Sequence, residues 1–468
     1  MRALFIRPWS RDIIQIPPPM GLLYLASCLR QTGEHEVKII DGRLLELKPE
    51  EIIARAEEFD PDVIGITCLT MEGPIAHEIA ALAKKRWRNR PVLLGGPYPT
   101  SDIAKAISDP NVDICFHGEA ERSFGEWIQT QQDGGDISKI PGITFRFNGE
   151  PVTNPRGGFI ENLDEIPFPA WDLLEMDLYF KKKFLRIRTM NPHQMRDRTV
   201  PMVTSRGCPF RCSYCHNLFG KKLRHRSVQN VVDELLLLKR QYKIEEIEFI
   251  DDIFNLDIPR AKAIFQAIID HNLGMYFSFP NGLRSDSFDE ELLRLMKKGG
   301  AYRLVFAIES GSKRIQKAIR KNLNLEKARA NIELANKLGY FLGGFFIIGF
   351  PDETEEEVWE TIRFALKSKL HTANFFILTP FPNTEVWEQA LKAGMPVDGH
   401  FEHYYQVSIN MSRVPGKRLE SLRRIAIARF FLHPVRIVRF IRRAPHFSKR
   451  ALEMFIIFVL TIFGFWKK

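Results

Sequence analysis

No uncharged apolar run in this sequence is long enough to span a bilayer. The most apolar one, "MFIIFVLTIFGFW" (residues 454–466), has thirteen residues. As a helix it would cover only ~20 Å of a ~30 Å hydrocarbon core. Cysteine is scarce, six in 468 residues, and lacks the spacing of a secreted disulfide framework. The opening "MRALFIRPWS" does not read as a secretory leader. A reducing, cytosolic compartment is therefore expected. Acids are nearly missing from one region only. Between Arg423 and Lys468, eleven basic residues face a single acid, Glu453, which accounts for the whole net charge of +10. The rest is about neutral, which argues against a nucleic-acid binder.

What is present is a chain too long for one ordinary core, with a 45% hydrophobic share that excludes wholesale disorder. Residues 1–145 alternate strand-like and helix-like segments: "RALFIRP", "GLLYLASCLRQTG", "EVKIIDG", "PEEIIARAEEF", "DVIGITCLT" and onward. That alternation predicts a doubly wound, Rossmann-like α/β domain with a parallel sheet. Ligands bind such sheets at the carboxyl ends of the strands. Those ends carry Gly21, Thr67, Gly95, Gly96 and Gly118, small residues that let backbone approach a bulky flat ligand. They also read as plain strand-to-helix turns, and chemistry alone does not separate the two.

Residues 146–198 read as a connector, with a hairpin around Asn148-Gly149 and the proline-broken "LDEIPFPAWDLL". Alternation resumes over 199–398, in about six strand–helix units. A full or partial parallel β/α barrel is predicted, with its working residues at the strands' C-terminal ends. Residues 399–468 form a helical, basic C-terminal region.

The densest chemistry is "RGCPFRCSYCHN", residues 206–217. Cys208, Cys212 and Cys215 follow the first barrel strand, with gaps of three and then two residues. Close-set thiolates suit iron–sulfur clusters or zinc. Zinc would want a fourth ligand, for which His216 and His225 are the candidates. A four-iron cluster on three thiolates instead keeps one iron open for a substrate or cofactor.

This spacing on a loop after the first barrel strand resembles the radical S-adenosylmethionine superfamily. The resemblance implies a 4Fe-4S cluster whose open iron chelates the amino and carboxylate groups of S-adenosylmethionine. An electron then cleaves the sulfonium to a 5′-deoxyadenosyl radical. It further implies that Tyr214 packs near adenine. Asp251 or Asp252 in "EFIDDIF" would hold the methionyl ammonium, although a helix cap is an equal reading for one of them. Glu309 and Ser310 in "FAIESGS" would contact ribose or the methionine group. Gly349 and Pro351 in "GGFFIIGFPDET" would line adenine, with Asn281 and Arg284 facing the pocket.

With "PPPMGLLYLA", "LGGPYPT" and "HGEAE" ahead of the barrel, the first domain resembles the cobalamin-binding module of cobalamin-dependent radical enzymes. The Asp-x-His-x-x-Gly motif that gives cobalt a histidine is absent, so cobalamin is expected to bind without a protein histidine. The rival is a domain that binds no cofactor.

The tail "RRIAIARFFLHPVRIVRFIRRAPHF" interleaves arginine with aliphatic and aromatic residues, and reads as a basic amphipathic membrane-surface element. Helices packed on the barrel are the other reading. The expected activity is modification of an unactivated carbon, with C-methylation leading. A lipid-like or tetrapyrrole substrate is expected, with a flavodoxin- or ferredoxin-type electron donor and a location at the inner face of the cell membrane. Ring formation or rearrangement, a methylthiotransferase-like RNA modification and a zinc-binding scaffold are the alternatives. No residue specifies the substrate.

Overall fold

The computed structural model describes residues 1–9, 16–180, 193–216, 218–397 and 407–445. It divides into two compact units, residues 1–182 with 218–220 and the remainder.

The first unit holds β1 (Arg2–Arg7), β2 (Glu36–Asp41), β3 (Val63–Thr67), β4 (Val92–Gly95), β5 (Ile114–Phe116), β6 (Ile143–Phe147) and β7 (Glu150–Thr153). They lie in the order β2-β1-β3-β4-β5-β6-β7. The first five pair in parallel, while β6 and β7 add on antiparallel. Alternate residues of β1 enter opposite cores. Leu4 and Ile6 join Ile64, Ile66 and Ile79 on one face; Ala3 and Phe5 join Phe124 and Trp127 on the other. A strand buried on both faces needs helices on both sides, hence the doubly wound arrangement. Strand order reverses between β1 and β3, and their carboxyl ends flank the crevice where such folds take ligands.

The second unit holds β8 (Thr199–Met202), β9 (Ser205–Arg206), β10 (Arg224–His225), β11 (Glu246–Phe249), β12 (Tyr276–Leu283), β13 (Ala301–Glu309), β14 (Phe341–Ile348) and β15 (Thr372–Ile377). Six of these form one parallel sheet in chain order, β8-β11-β12-β13-β14-β15, with β9 and β10 as a separate antiparallel pair. Strands β8 and β15 are its two edges, so the barrel is partial. Helices such as Val228–Tyr242, Ile258–Asp270, Leu325–Lys337 and Glu355–Lys367 join successive strands. The last of these starts at a capping box: Thr354 and Glu357 each satisfy the other's backbone amide.

Two sequence expectations change. The hairpin within 146–198 is no connector, because β6 and β7 extend the first sheet and the first unit runs on to 182. The first helix of the basic tail is no free amphipathic element either. Helix Gly416–Phe431 packs on β15 and buries Leu419, Leu422, Ala426, Ile427 and Phe430. Arg423 is buried with them and donates to the Phe375 carbonyl at 2.8 Å. Each such Leu or Phe contributes about 1.5–3 kcal/mol, which ties this helix to the barrel. The next helix, Pro434–Arg443, sends Arg436 inward to the Leu366 carbonyl at 2.9 Å, satisfying the end of helix Glu355–Lys367. The apolar run 454–466, with Trp466, Lys467 and Lys468, lies outside the described residues. Among the described residues no helix is long and apolar enough to cross a membrane.

Candidate functional site

The loop carrying the three cysteines leaves β8 under tight backbone control. Oδ1 of Asp251, just past β11, accepts from the Thr204 amide (3.0 Å), the Thr204 hydroxyl (2.8 Å) and the Ser205 hydroxyl (2.5 Å). Arg260 donates to the Thr204 carbonyl at 2.8 Å. Asp252 Oδ2 accepts from the Gly207 amide at 3.0 Å, where Gly207 sits at φ +87°, a conformation suited to glycine. Further along, the Ser213 amide donates to Ile319 O (3.0 Å) and the Val386 amide to Ser213 O (3.1 Å). The loop is thus pinned at its start by β11 and in its middle by two helix-bearing segments.

Cys208 and Cys212 are half-buried and Cys215 is exposed as a residue. The sulfur of Cys215 is nonetheless poorly solvated. That loss of solvent, with the neighbouring Cys212 and Cys208, pushes its thiol up to about 12. Burial raises Cys208 as well. Thiols in such surroundings ionise when a metal takes the proton's place. Among the described residues no three His, Cys, Asp or Glu side chains converge on one metal-ion position. A cubane spreads its thiolates over different irons, so its ligands need not share one metal-ion position. The donor set, all sulfur and spaced by three and two residues, suits an iron–sulfur cluster.

Around the third cysteine the structure adds a residue the sequence did not flag. Lys321 is nearly buried and reaches Tyr214 Oη at 3.4 Å and Glu309 Oε1 at 3.3 Å. Its charge also acts on the Cys215 thiol. It lies between two barrel helices, in "IRKNLN", where no motif marks it. Glu309 ends β13 at φ +66°, a strained position for a side chain with a Cβ. Tyr214 also meets Phe350, ring centroids 5.6 Å apart. Arg284 lies 4.2 Å over the ring of Phe210 and donates to Lys321 O (2.9 Å), so it supports the loop. Asn281 donates to Ile250 O at 2.7 Å.

Three expected contacts take other roles. Asp251 is buried and committed to the loop through Oδ1, while Asp252 is exposed with a single hydrogen bond. Ser310 is fully buried, with Oγ 3.1 Å from Thr361 Oγ1, and so braces a helix. Gly349 is buried at φ +91°, and a Cβ there would meet Leu419 Cδ2 at 2.7 Å. It makes room for helix Gly416–Phe431. Pro351 follows, half-buried. Glu353, also unflagged, receives the Gly349 and Phe350 amides on Oε2.

In the first unit the predicted cradle is open. A Cβ built on Gly21, Gly95 or Gly118 would meet nothing within 4 Å. Gly96 differs: at φ +91° its Cβ would strike Thr67 Oγ1 at 2.7 Å, so Gly96 and half-buried Thr67 pack on each other. Beside Gly118, His117 is buried with the Ile143 backbone near its ring, and among the described residues neither ring nitrogen has a partner in hydrogen-bond geometry. Burial lowers its basicity. Open glycines and an unsatisfied imidazole at the strands' carboxyl ends fit a bulky cofactor with polar edges. Sequence reading missed the buried ion pairs that shape this edge. Arg7 pairs with Asp41 and donates to Pro17 O at 2.6 Å, and Tyr179 donates to Asp41 at 2.6 Å. Arg43 pairs with Glu72, which also accepts from the Leu69 amide at 2.9 Å. Together they fix the segments after β1, β2 and β3. Charged residues directly at strand ends ("FIRP", "IIDGR", "TMEG") were the available signal.

Comparison with known proteins agrees with both halves. Residues 202–365 match the radical SAM superfamily and residues 12–128 the B12 binding domain. An uncharacterized methyltransferase of Pyrococcus horikoshii is 36% identical over 452 residues, 94% of this chain and 94% of that protein. This chain belongs to the cobalamin-binding radical S-adenosylmethionine enzymes. Its cofactors are a 4Fe-4S cluster, S-adenosylmethionine and cobalamin. Cytidylyl-2-hydroxyethylphosphonate methyltransferase of Streptomyces wedmorensis is 31% identical, covering 89% of this chain and 86% of that one. In fold, the enzyme is similar to the radical S-adenosylmethionine methyltransferase TsrM of Kitasatospora setae, solved with cobalamin and a 4Fe-4S cluster. The TM-score is 0.68 at 19% identity, over 84% of this chain and 78% of that one.

Proposed function

We propose that this enzyme methylates an unactivated carbon, using one S-adenosylmethionine to generate a radical and another as the methyl source. The observation that carries the reading is one chain with a three-thiolate loop at a barrel strand end and an open glycine cradle on a doubly wound sheet. Two relatives covering most of the chain are named methyltransferases. When bound, the cluster supplies the electron that cleaves S-adenosylmethionine, and cobalamin carries the methyl group.

In this reading Cys208, Cys212 and Cys215 hold the cluster, and Asp251 fixes their loop. Asp252 meets the methionyl ammonium, and Lys321 with Glu309 offers a cation and an anion beside the third thiolate. Tyr214, with Phe350 behind it, walls the nucleoside side, and Pro351 borders it. Gly21, Gly95, Gly118 and His117 face cobalamin, with Thr67 and Gly96 shaping the turn behind. An external low-potential protein supplies electrons. A lipid-like substrate is consistent with the basic, apolar C-terminus.

The test uses S-adenosylmethionine labelled in its methyl group, with anaerobically reconstituted enzyme, a membrane-lipid extract and a separate polar-metabolite extract. Label in a carbon-bound methyl of one product, with 5′-deoxyadenosine and S-adenosylhomocysteine in equal amounts, supports the reading. Formation of 5′-deoxyadenosine with no label transfer into either extract favours ring-forming chemistry instead. Label confined to polar products overturns the lipid-like substrate.

A further inference from the structure

Helix Pro434–Arg443 turns its apolar side away from the protein. Its inner side is made by buried Arg436, on the carbonyls ending helix Glu355–Lys367, and by Phe440. Phe440 packs on Phe341 (5.8 Å) and His193 (6.3 Å). At 3.6 residues per turn, Val435, Val438 and Ile441 fall on the opposite side. Their exposures are 59%, 47% and 44%, with Ile437 at 42% and Leu432, just before the helix, at 58%. Single exposed aliphatics are ordinary, but four on one outward arc of a ten-residue helix, with Leu432 just before it, form a patch. Exposed Arg442 lies on the same outward side, whereas Arg443 reaches back to Gly339; Arg424 and Arg429 are exposed on the preceding helix. No acid occurs between Glu420 and Glu453.

We propose that this outward face is a docking surface for an anionic lipid bilayer, with the helix lying in the interface. Aliphatic side chains would enter the acyl boundary while the arginines meet headgroups. Charge decides between occupants. A second copy would set arginine against arginine across a two-fold contact. Residues 446–468 bring Lys449, Arg450, Lys467 and Lys468 against one acid, so their charge does not complement the arginines, and their apolar run 454–466 is the rival occupant that the hydrogen-exchange experiment below tests. Anionic headgroups are the complement. The proposal stands apart from methyl transfer.

The experiment is co-sedimentation of the reconstituted full chain with vesicles of phosphatidylcholine alone, or with phosphatidylglycerol added. Wild type should bind the anionic vesicles selectively, and salt should weaken binding without abolishing it. Arg442→Gln should weaken it about five-fold, the effect of one basic residue near such a surface. The triple variant V435D/V438D/I441D should lose binding while still cleaving S-adenosylmethionine to 5′-deoxyadenosine. V435T/V438T/I441T, close in shape, serves if the aspartates disturb folding. Unchanged vesicle binding by a folded triple variant overturns the proposal. So does a wild-type dimer that the triple variant converts to monomer. Protection of residues 432–441 from hydrogen exchange without vesicles, lost when 446–468 is deleted, overturns it as well.

Discussion

Asp251 gathers three hydrogen bonds on one carboxylate oxygen and so fixes where the cysteine loop begins. Asp251→Ala would leave the buried Thr204 amide without its partner, at about 1–3 kcal/mol. Iron content after reconstitution should fall while the far-ultraviolet circular dichroism stays that of a folded protein. Asp252→Asn should instead keep the iron and raise the S-adenosylmethionine concentration needed for cleavage. The opposite pattern would reverse the two roles. Glu353 carries a pH prediction. Burial pushes its carboxyl from 4.5 up to about 8. A group raised on folding contributes stability that is full below its unfolded value and lost as pH rises through the folded one. Stability should therefore decline between about pH 4.5 and 8. Glu353→Gln should flatten that decline, as read by thermal melts across the range. At this scale the cysteines were legible because their spacing is local. Lys321 and the Arg7–Asp41 and Arg43–Glu72 pairs were not, since they meet partners from distant strands.

Helix Gly416–Phe431 shows what a sequence pattern leaves open. Arginine and apolar residues at helical spacing reveal that one face is apolar, but not whether protein or lipid covers it. The helix packs on β15 with Leu419, Leu422, Ala426, Ile427 and Phe430 buried, and Gly349 gives up its Cβ to let it approach. Gly349→Ala combines a left-handed backbone with a collision against Leu419. It should destabilise the barrel by about 1–3 kcal/mol, measured by denaturant unfolding. Truncation after residue 415 should expose β15 and cost solubility and cluster retention, rather than only detach the protein from vesicles. A truncated protein that keeps its cluster and stays soluble would contradict this packing. The strand–helix alternation, by contrast, was legible because strands buried on both faces leave continuous apolar runs between helical segments. The hairpin of β6 and β7 was read correctly as a hairpin. Its place on the first sheet was not visible, because antiparallel addition to an edge leaves no local mark.

At the scale of the whole molecule, a doubly wound unit with an open glycine cradle and a partial barrel with a three-thiolate loop share one chain. Membership in the cobalamin-binding radical enzymes accounts for both. The claim that matters most is that Cys208, Cys212 and Cys215 hold the cluster that cleaves S-adenosylmethionine. Its most direct test is 5′-deoxyadenosine formation by the reconstituted, dithionite-reduced full chain and by each single Cys→Ala variant and the triple variant. The account predicts product from wild type and none from any variant, with cobalamin retained by all of them. Wild-type amounts of 5′-deoxyadenosine from the triple variant would contradict it.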